Sequence, residues 1–188
     1  DYLLEGPVAA LDAIRAITGA AQSNIIGYCL GGTLLAGLLA YLKGTGAADQ
    51  VASATFLTTM IDFEEPGDLG VFIDDDQIRS LEQKMSRDGY LDGTDMATTF
   101  NMLRSNDLIW SFVINNYLMG DEPLAFDLLY WNSDSTRMPA KMHSEYLRTM
   151  YLENRFKDPG GMVLDGVAID IPSVDTPCYF LSTQEDHI

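Results

Sequence analysis

A cysteine framed by glycines constrains this chain more than any other feature of its sequence. Gly27, Cys29 and Gly31 stand two residues apart, after an apolar run at 24–28 and before a run of small residues at 31–43. The pattern glycine–any–nucleophile–any–glycine between a strand and a helix is typical of a nucleophile elbow. Such a turn strains the backbone of its central residue, and larger side chains two positions away on either side would collide with it. The pattern therefore predicts Cys29 as a nucleophile.

The predicted turn also places the thiol in an environment that favours reaction. The thiol would lie at the N-terminus of the following helix, whose dipole favours a thiolate. The backbone N–H of Leu30 would point at the same place and serve as half of an oxyanion hole. The alternative is a glycine-rich strand-to-helix turn with a buried, structural Cys29.

The elements around this turn alternate between helix and strand. A helix is predicted after Pro7, a short buried strand over 23–28, a helix over 31–43 and a strand over 51–60. This order predicts an α/β fold with a parallel sheet.

A further short strand is predicted near the end of the chain, at 178–181. Its apolar composition predicts burial, with Cys178 packed in the core. Asp186 follows this strand. Because ligands bind outside the carboxyl ends of the strands in open α/β sheets, Cys29 and Asp186 are both expected at the ligand-binding edge.

The chain between these parts of the sheet is too long for a loop. We predict a core formed by residues 1–60 and 166–188, with a mostly helical cap inserted over 61–165. Within the cap, the stretch 100–131 is rich in aromatic residues and apolar nearly all round. This composition predicts burial in the core of the cap, or contact with an apolar ligand or a second subunit.

The charge of the chain excludes several functions. The formal net charge is −17 and the sequence pI is about 4.1, so nucleic acid is not an expected partner.

No apolar run reaches the length of a transmembrane segment and no signal-peptide pattern occurs, which favours the cytoplasm. The acidic run at 74–76 is expected to be either a solvated acidic surface or the N-cap of the helix that follows, rather than a metal site. Cys29 and Cys178 do not form a disulfide framework; with one strand between them they would be about 10 Å apart.

Several motifs resemble those of one family. They are Gly27-Tyr28-Cys29-Leu30-Gly31-Gly32-Thr33, Asn106-Asp107-Leu108-Ile109-Trp110, Asn115-Asn116-Tyr117-Leu118, Phe126-Asp127-Leu128-Leu129-Tyr130-Trp131-Asn132, Tyr146-Leu147-Arg148, Tyr151-Leu152 with Asn154, and Glu185-Asp186-His187-Ile188. Together they resemble the polyhydroxyalkanoate synthases, and the short-chain (class I) type most. The resemblance covers essentially the whole chain.

This resemblance implies an α/β-hydrolase core with a mobile cap and a Cys–His–Asp triad. Cys29 would be the nucleophile and Asp186 the acid that orients the histidine. The family's catalytic histidine would follow Ile188, so the 188-residue chain is expected to be inactive alone. The chain starts without an initiator methionine and stops just after a predicted strand, and we interpret it as an internal fragment.

The resemblance also implies the reaction. These enzymes polymerise (R)-3-hydroxyacyl groups, here most simply from 3-hydroxybutyryl-CoA, and release coenzyme A from a cysteine-bound acyl intermediate. The coenzyme A thioester is a substrate, so no cofactor and no metal are expected. We also expect a homodimer through the cap and a location in the cytoplasm, at the surface of polymer granules. Two alternatives remain: a cysteine hydrolase, such as a lactone hydrolase or thioesterase, and a catalytically incompetent fragment.

Neither histidine of the chain suits the role of catalytic base. His187 is adjacent to Asp186, so their side chains diverge, and the family order needs the histidine well after the acid. We expect His187 to support the site without contacting substrate. His143 falls on a predicted cap helix, where a partly exposed side chain is expected.

Basic residues in the same helix suggest a binding surface for phosphates. Arg137, Lys141, Arg148 and Arg155 are spaced by 4, 7 and 7 residues and would form one stripe if the helix were continuous. Arg148 and Arg155 are therefore candidates to contact the phosphates of coenzyme A. The alternative is a solvated helix face.

Overall fold

The computed structural model describes residues 2–123, 127–134 and 136–184. The chain divides into two compact units, one formed by Asp1–Gly67 with Thr149–Ile188 and the other by Asp68–Arg148. We call these the sheet unit and the helical unit. The cap boundaries expected at residues 61 and 165 stay a prediction.

Strands and helices follow one another along both units. Within the described ranges the strands are β1 (Ser23–Tyr28), β2 (Val51–Leu57), β3 (Tyr90–Leu91), β4 (Met138–Pro139), β5 (Val163–Leu164), β6 (Val167–Ala168) and β7 (Cys178–Leu181). The α-helices are α1 (Ala9–Thr18), α2 (Leu30–Gly44), α3 (Asp75–Asp88), α4 (Gly93–Leu103), α5 (Leu128–Ser133) and α6 (Ala140–Tyr146). Wider, π-helical turns occupy Leu4–Val8, Asn106–Trp110, Val113–Leu118 and Leu147–Leu152, and 3₁₀ turns occupy Ala48–Gln50, Gly67–Phe72 and Ile171–Ser173.

The sheet unit is built on three parallel strands in the order β1–β2–β7. Ile26 lies opposite Thr55, and Thr55 lies opposite Tyr179. The predicted parallel sheet is confirmed, and the mixture of helices and parallel strands is consistent with an α/β fold. Strand β2 ends at Leu57 rather than residue 60, because Thr58 adopts a left-handed backbone conformation with φ 44°.

Helix α2 packs along one face of this sheet and supplies much of its core. Nine of its 15 residues are buried, so it is a core helix rather than an amphipathic surface helix. Its small residues allow close packing, since a Cβ added to Gly44 would lie only 2.6 Å from Cγ1 of Val167. The helix predicted over 31–43 is confirmed to within one residue at each end.

The outer strands of the sheet are more exposed than their sequences predict. Ile26, Tyr28 and Tyr179 keep 69%, 70% and 61% of their surface exposed. Cys178 is exposed as well, so its predicted place in the core is wrong. The reason is position: β1 and β7 flank a single central strand, and an apolar strand sequence does not specify whether both faces of a sheet are covered.

The helical unit has its own core. The carboxylate of Asp74 accepts hydrogen bonds from the backbone N–H groups of Asp76 at 2.9 Å and Gln77 at 2.8 Å. These bonds cap α3, so the N-cap is confirmed as one of the two roles considered for the acidic run. Ile78 and Met85 of α3 are buried. Among the described residues, no cluster of three side chains suited to a metal ion occurs, and no helix is long and apolar enough to cross a membrane.

The aromatic stretch of the helical unit is largely on the surface. Trp110 and Phe112 each expose 53% of their area and Tyr117 exposes 82%. The prediction that this stretch forms the core of the cap is therefore wrong for the described residues; Phe126 lies outside them. Hydrophobic pattern alone does not distinguish burial within one unit from contact with another apolar surface. Contact with an apolar ligand or a second subunit stays a prediction.

Candidate functional site

Cys29 occupies a strained turn between β1 and α2. Its backbone has φ 51° and ψ −122°, a combination that residues with a Cβ rarely adopt. Hydrogen bonds hold this conformation from both sides. The N–H of Cys29 donates to the carbonyl oxygen of Leu57 at 2.9 Å, and its own carbonyl oxygen accepts from Gly32 N at 2.9 Å and Thr33 N at 3.3 Å. The predicted strand–cysteine–helix turn is therefore present, and its thiol is free and exposed.

The glycines around this turn differ in what they contribute. A Cβ on Gly27 would lie 2.6 Å from the Cα of Gly32, and a Cβ on Gly32 would lie 1.8 Å from Oγ1 of Thr59. Both positions are therefore too crowded for a side chain. By contrast, a Cβ on Gly31 would meet no atom from elsewhere in the chain within 4 Å. The expectation that a larger side chain at position 31 would collide with the turn is wrong, and Gly32 is the glycine that close packing requires.

The start of α2 presents backbone donors beside the thiol. Leu30 is the first residue of α2, so its N–H is among the amides that no intrahelical acceptor satisfies. This arrangement is the one that an oxyanion hole or an anion site uses. The role of Leu30 in an oxyanion hole stays a prediction.

The segment after β2 forms the second side of this turn. Thr58 donates its N–H to the carbonyl oxygen of Leu181 at 2.8 Å, which joins the carboxyl ends of β2 and β7. The side chain of Thr59 packs over Gly32, and the hydroxyl of Thr33 donates to the carbonyl oxygen of Met60 at 2.7 Å. The sequence predicts no contact between these threonines and the turn, because no local pattern links residues 27 positions apart.

The acid expected in the site lies outside the described residues. Asp186 and His187 both follow the last described residue, Gln184, and their roles stay predictions. What the structure describes is the edge at which they are expected. The carboxyl ends of β1, β2 and β7 are adjacent in one parallel sheet, and Cys29 directly follows the first of them.

The two cysteines lie at opposite ends of the sheet. Cys178 opens β7 opposite Ala54, whereas Cys29 follows the carboxyl end of β1. Two strand spacings and about four residues of rise separate them by roughly 16 Å, farther than the predicted distance. Both are free, which confirms that they form no disulfide. Partial burial of the sulfur raises the pKa of the Cys178 thiol.

His143 is a core residue of the helical unit. Only 3% of its surface is exposed, so the expectation of a partly exposed side chain is wrong. Burial lowers the pKa of the imidazole, and Nδ1 has no hydrogen-bond partner among the described residues. A neutral imidazole in the core is the consistent description.

The predicted basic stripe is interrupted. Helical structure ends at Leu152 and Asn154 has φ 48°, so Arg155 lies beyond the helix, half exposed and 3.5 Å from Glu153. Arg137 precedes α6. The expected contacts of Arg148 and Arg155 with coenzyme A phosphates stay predictions.

Arg148 is already held by carboxylates of α3. Its Nε and Nη2 donate to Glu82 at 2.7 and 2.8 Å, and its Nη1 donates to Asp75 at 3.2 Å. The Ser144 hydroxyl also donates to Glu82. Hydrogen bonds from Arg148 and Ser144 lower the pKa of Glu82 to about 2, and the carboxylates raise the pKa of Arg148 above its usual range.

The chain is similar along its whole length to part of several poly(3-hydroxyalkanoate) polymerases. The chain is 56% identical over 187 residues to "Poly(3-hydroxyalkanoate) polymerase subunit PhaC" of Rhizobium meliloti (strain 1021), with 100% of this chain and 30% of the relative covered. It is 54% identical to "Poly(3-hydroxyalkanoate) polymerase" of Methylorubrum extorquens, covering 31% of that protein. It is 39% identical to the PhaC subunit of Cupriavidus necator, covering 33% of it. No family model matches the chain. The chain thus spans about a third of the length of these curated relatives.

Proposed function

We propose that this chain, which is homologous along its whole length to a segment of the poly(3-hydroxyalkanoate) polymerases, carries the nucleophile of an acyltransferase. In this proposal the sheet unit is part of an α/β-hydrolase core, and the full-length protein polymerises (R)-3-hydroxyacyl groups from coenzyme A thioesters. The observation that carries the proposal is the strained backbone of Cys29 at the junction of β1 and α2. Residues with a strained backbone cluster at active sites.

The first half of the proposed reaction charges the enzyme. A general base removes the thiol proton of Cys29, and the thiolate attacks the carbonyl carbon of the acyl thioester. The resulting oxyanion accepts a hydrogen bond from the N–H of Leu30. The C–S bond to coenzyme A then breaks, and the proton from the base leaves with coenzyme A. The product is an acyl-cysteine, and because one thioester replaces another, this step is close to isoenergetic.

The second half forms the polymer bond. The 3-hydroxyl group of another acyl unit or growing chain gives its proton to the base and attacks the acyl-cysteine carbonyl. An ester bond forms, and the Cys29 sulfur leaves and takes up this proton from the base, which restores the free thiol. We propose that Asp186 orients the base, that His187 supports this acid loop, and that the base is a histidine beyond residue 188. On this assignment the 188-residue chain has no turnover alone.

Three finer features belong to the same proposal. The substrate is short-chain, 3-hydroxybutyryl-CoA, and no cofactor takes part. The exposed apolar side chains of 108–119 support a homodimer through the cap, because an apolar surface of this kind marks an interaction site. The protein works in the cytoplasm, at the surface of polymer granules.

A cysteine hydrolase is the second candidate, because the geometry around Cys29 suits hydrolysis as well. In a lactone hydrolase or thioesterase, water would attack the acyl-cysteine in place of the 3-hydroxyl group. The names of the relatives favour polymerisation, and a cap that excludes water would favour transfer.

The product distinguishes the candidates. Full-length protein incubated with 3-hydroxybutyryl-CoA is expected to release coenzyme A and deposit an insoluble polyester. Cys29→Ala is expected to lower the rate by roughly a thousandfold or more. Cys178→Ala is the matched control and is expected to leave it unchanged, because that cysteine lies at the opposite end of the sheet. Free 3-hydroxybutyrate as the product would favour the hydrolase, and turnover by Cys29→Ala would overturn both candidates.

The phosphate contacts have a separate test. Arg148→Ala and Arg155→Ala in the full-length protein are expected to raise the KM for acyl-CoA with little change in kcat, the result for a lost ground-state contact. Arg87→Ala, which removes a cation from the last turn of α3, is the control. An unchanged KM in both variants would leave the basic residues as a solvated surface.

A further inference from the structure

We propose that Thr33 is a positioning residue for the nucleophile. Its hydroxyl group forms a hydrogen bond between the start of α2 and the segment after β2, and this bond helps to keep Cys29 in its strained backbone conformation. This inference rests on the proposed function of Cys29. It assigns Thr33 a role through the backbone and not through contact with substrate.

The hydrogen bond of Thr33 is not one that a helical threonine makes by default. A threonine inside a helix ordinarily donates to the carbonyl oxygen four residues earlier. For Thr33 that residue is Cys29, whose carbonyl oxygen already accepts from two backbone N–H groups, Gly32 and Thr33. The hydroxyl donates instead to Met60, 2.7 Å away and 27 positions along the chain. The side chain is buried, with 3% exposure, so an unmade bond would be costly.

The partner segment is itself fixed. Thr58 is held in the left-handed region, φ 44°, and its N–H donates to Leu181 of β7 at 2.8 Å. Thr59 fills the space above Gly32 so closely that a Cβ on that glycine would overlap its hydroxyl oxygen. Met60 therefore presents its carbonyl oxygen from a part of the backbone that has little freedom to move.

Three contacts consequently connect the turn to this segment. They are the Cys29 N–H to Leu57 hydrogen bond at 2.9 Å, the packing of Thr59 on Gly32, and the Thr33 hydroxyl to Met60 hydrogen bond. A strained backbone persists only when its surroundings over-determine it. The Thr33 contact is a side-chain hydrogen bond, so a substitution of nearly the same shape removes it and leaves the backbone hydrogen bonds in place.

Loss of this contact should affect the chemical step more than substrate binding. A relaxed turn would shift both the thiol of Cys29 and the N–H of Leu30. Displacements of about 1 Å at a reacting centre cost on the order of a hundredfold in rate. We expect the remote parts of an acyl-CoA to be bound away from this turn, so the KM should change little.

The test compares two substitutions of Thr33 in the full-length protein. Thr33→Val keeps the shape and removes the hydroxyl, whereas Thr33→Ser keeps the hydroxyl and removes the methyl group. With 3-hydroxybutyryl-CoA, valine is expected to lower kcat by roughly 10- to 100-fold with KM within about twofold, and serine to restore kcat to within about threefold of wild type. The alkylation rate of Cys29 by iodoacetamide, followed on its own peptide by mass spectrometry from pH 6 to 10, is expected to change for valine and not for serine.

The outcomes separate the two proposals. Wild-type kcat and alkylation in Thr33→Val, or equal damage by valine and serine, would overturn the positioning role. Should the valine variant not fold, Thr33→Ala is compared with Thr33→Ser in the same way. If wild-type protein makes no polyester, or Cys29→Ala does, the proposed function fails instead. The alkylation profiles still decide the role of Thr33 in that case, because they need no turnover.

Discussion

Alanine substitutions at the two adjacent glycines of α2 are expected to have opposite effects on stability. A Cβ on Gly31 meets no atom from elsewhere in the chain within 4 Å, and alanine favours a helix over glycine by about 0.5–1 kcal/mol. A Cβ on Gly32 would lie 1.8 Å from Oγ1 and 2.7 Å from Cβ of Thr59. Rotation of the Thr59 side chain does not relieve the second contact, so the backbone would have to move.

The change in the free energy of unfolding at each glycine combines the helical preference of alanine with the cost of overpacking. Overpacking of a well-packed core costs about 1–3 kcal/mol, which outweighs the helical gain of alanine at Gly32. We expect Gly31→Ala to stabilise the full-length protein by about 0.5–1 kcal/mol and Gly32→Ala to destabilise it by about 1–2 kcal/mol. Thermal unfolding is a suitable assay, since 1 kcal/mol shifts the midpoint by roughly 2–4 °C for a domain of about 150–250 residues.

A double-mutant cycle identifies the cause. All three of the atoms nearest to the added Cβ belong to Thr59, so Gly32→Ala should cost little in a Thr59→Gly background. The coupling free energy between the two substitutions is expected to exceed about 1 kcal/mol. Equal shifts for Gly31→Ala and Gly32→Ala, or a coupling near zero, would refute the assignment of Gly32 as the glycine that packing demands.

Three further predictions concern charged and buried groups, and each uses unfolding of the full-length protein. The hydrogen bonds from Arg148 and Ser144 lower the pKa of Glu82 from 4.5 to about 2. The contribution of this carboxylate to the free energy of unfolding is therefore complete above pH 4.5 and is lost as the pH falls towards 2. Glu82→Gln should flatten this part of the pH–stability curve. Burial lowers the pKa of His143 below 6.5 in the folded protein. As the pH falls below 6.5, the unfolded chain therefore binds a proton at this residue more readily than the folded protein, and the free energy of unfolding should decrease. His143→Leu should remove this slope without loss at pH 8, and a retained slope would assign it to another group. Lys157→Met should lower the unfolding midpoint, because the ammonium group contacts both carboxylate oxygens of Asp62 at 3.0 Å. This decrease in the midpoint should be smaller in 1 M salt than at low salt, because salt screens the ion pair. An equal decrease at low and high salt would point to lost packing of the lysine side chain.

The features that the sequence predicts well are those determined by neighbouring residues. The backbone of Cys29 follows from the glycine spacing around it, because the steric limits of a tight turn act over a few residues. The N-cap at Asp74 follows in the same way, since the carboxylate bonds to N–H groups two and three positions away. The parallel order of β1 and β2 follows from the helix between them, which must cross over the sheet.

The features that the sequence did not predict depend on distant contacts. The burial of His143 and the exposure of Cys178 depend on which helices and strands cover each position. The residues next to them in the sequence do not indicate whether such a cover exists. The choice of Gly32 over Gly31 depends on Thr59, and the bond of Thr33 depends on the path of the chain after β2. Local spacing therefore predicted the turn and missed the contacts that hold it.

The separation of β2 and β7 along the chain affects how the sheet is assembled during synthesis. About 120 residues lie between the end of β2 at Leu57 and the start of β7 at Cys178. At about 5–20 residues per second, the ribosome needs roughly 6–24 s to add them. Throughout that interval the pairing edge of the central strand has no partner from β7, and an unpaired edge is a site for mispairing with other chains. The helical unit, Asp68–Arg148, is synthesised within this interval, so its whole sequence is available before β7 can close the sheet beside Cys29.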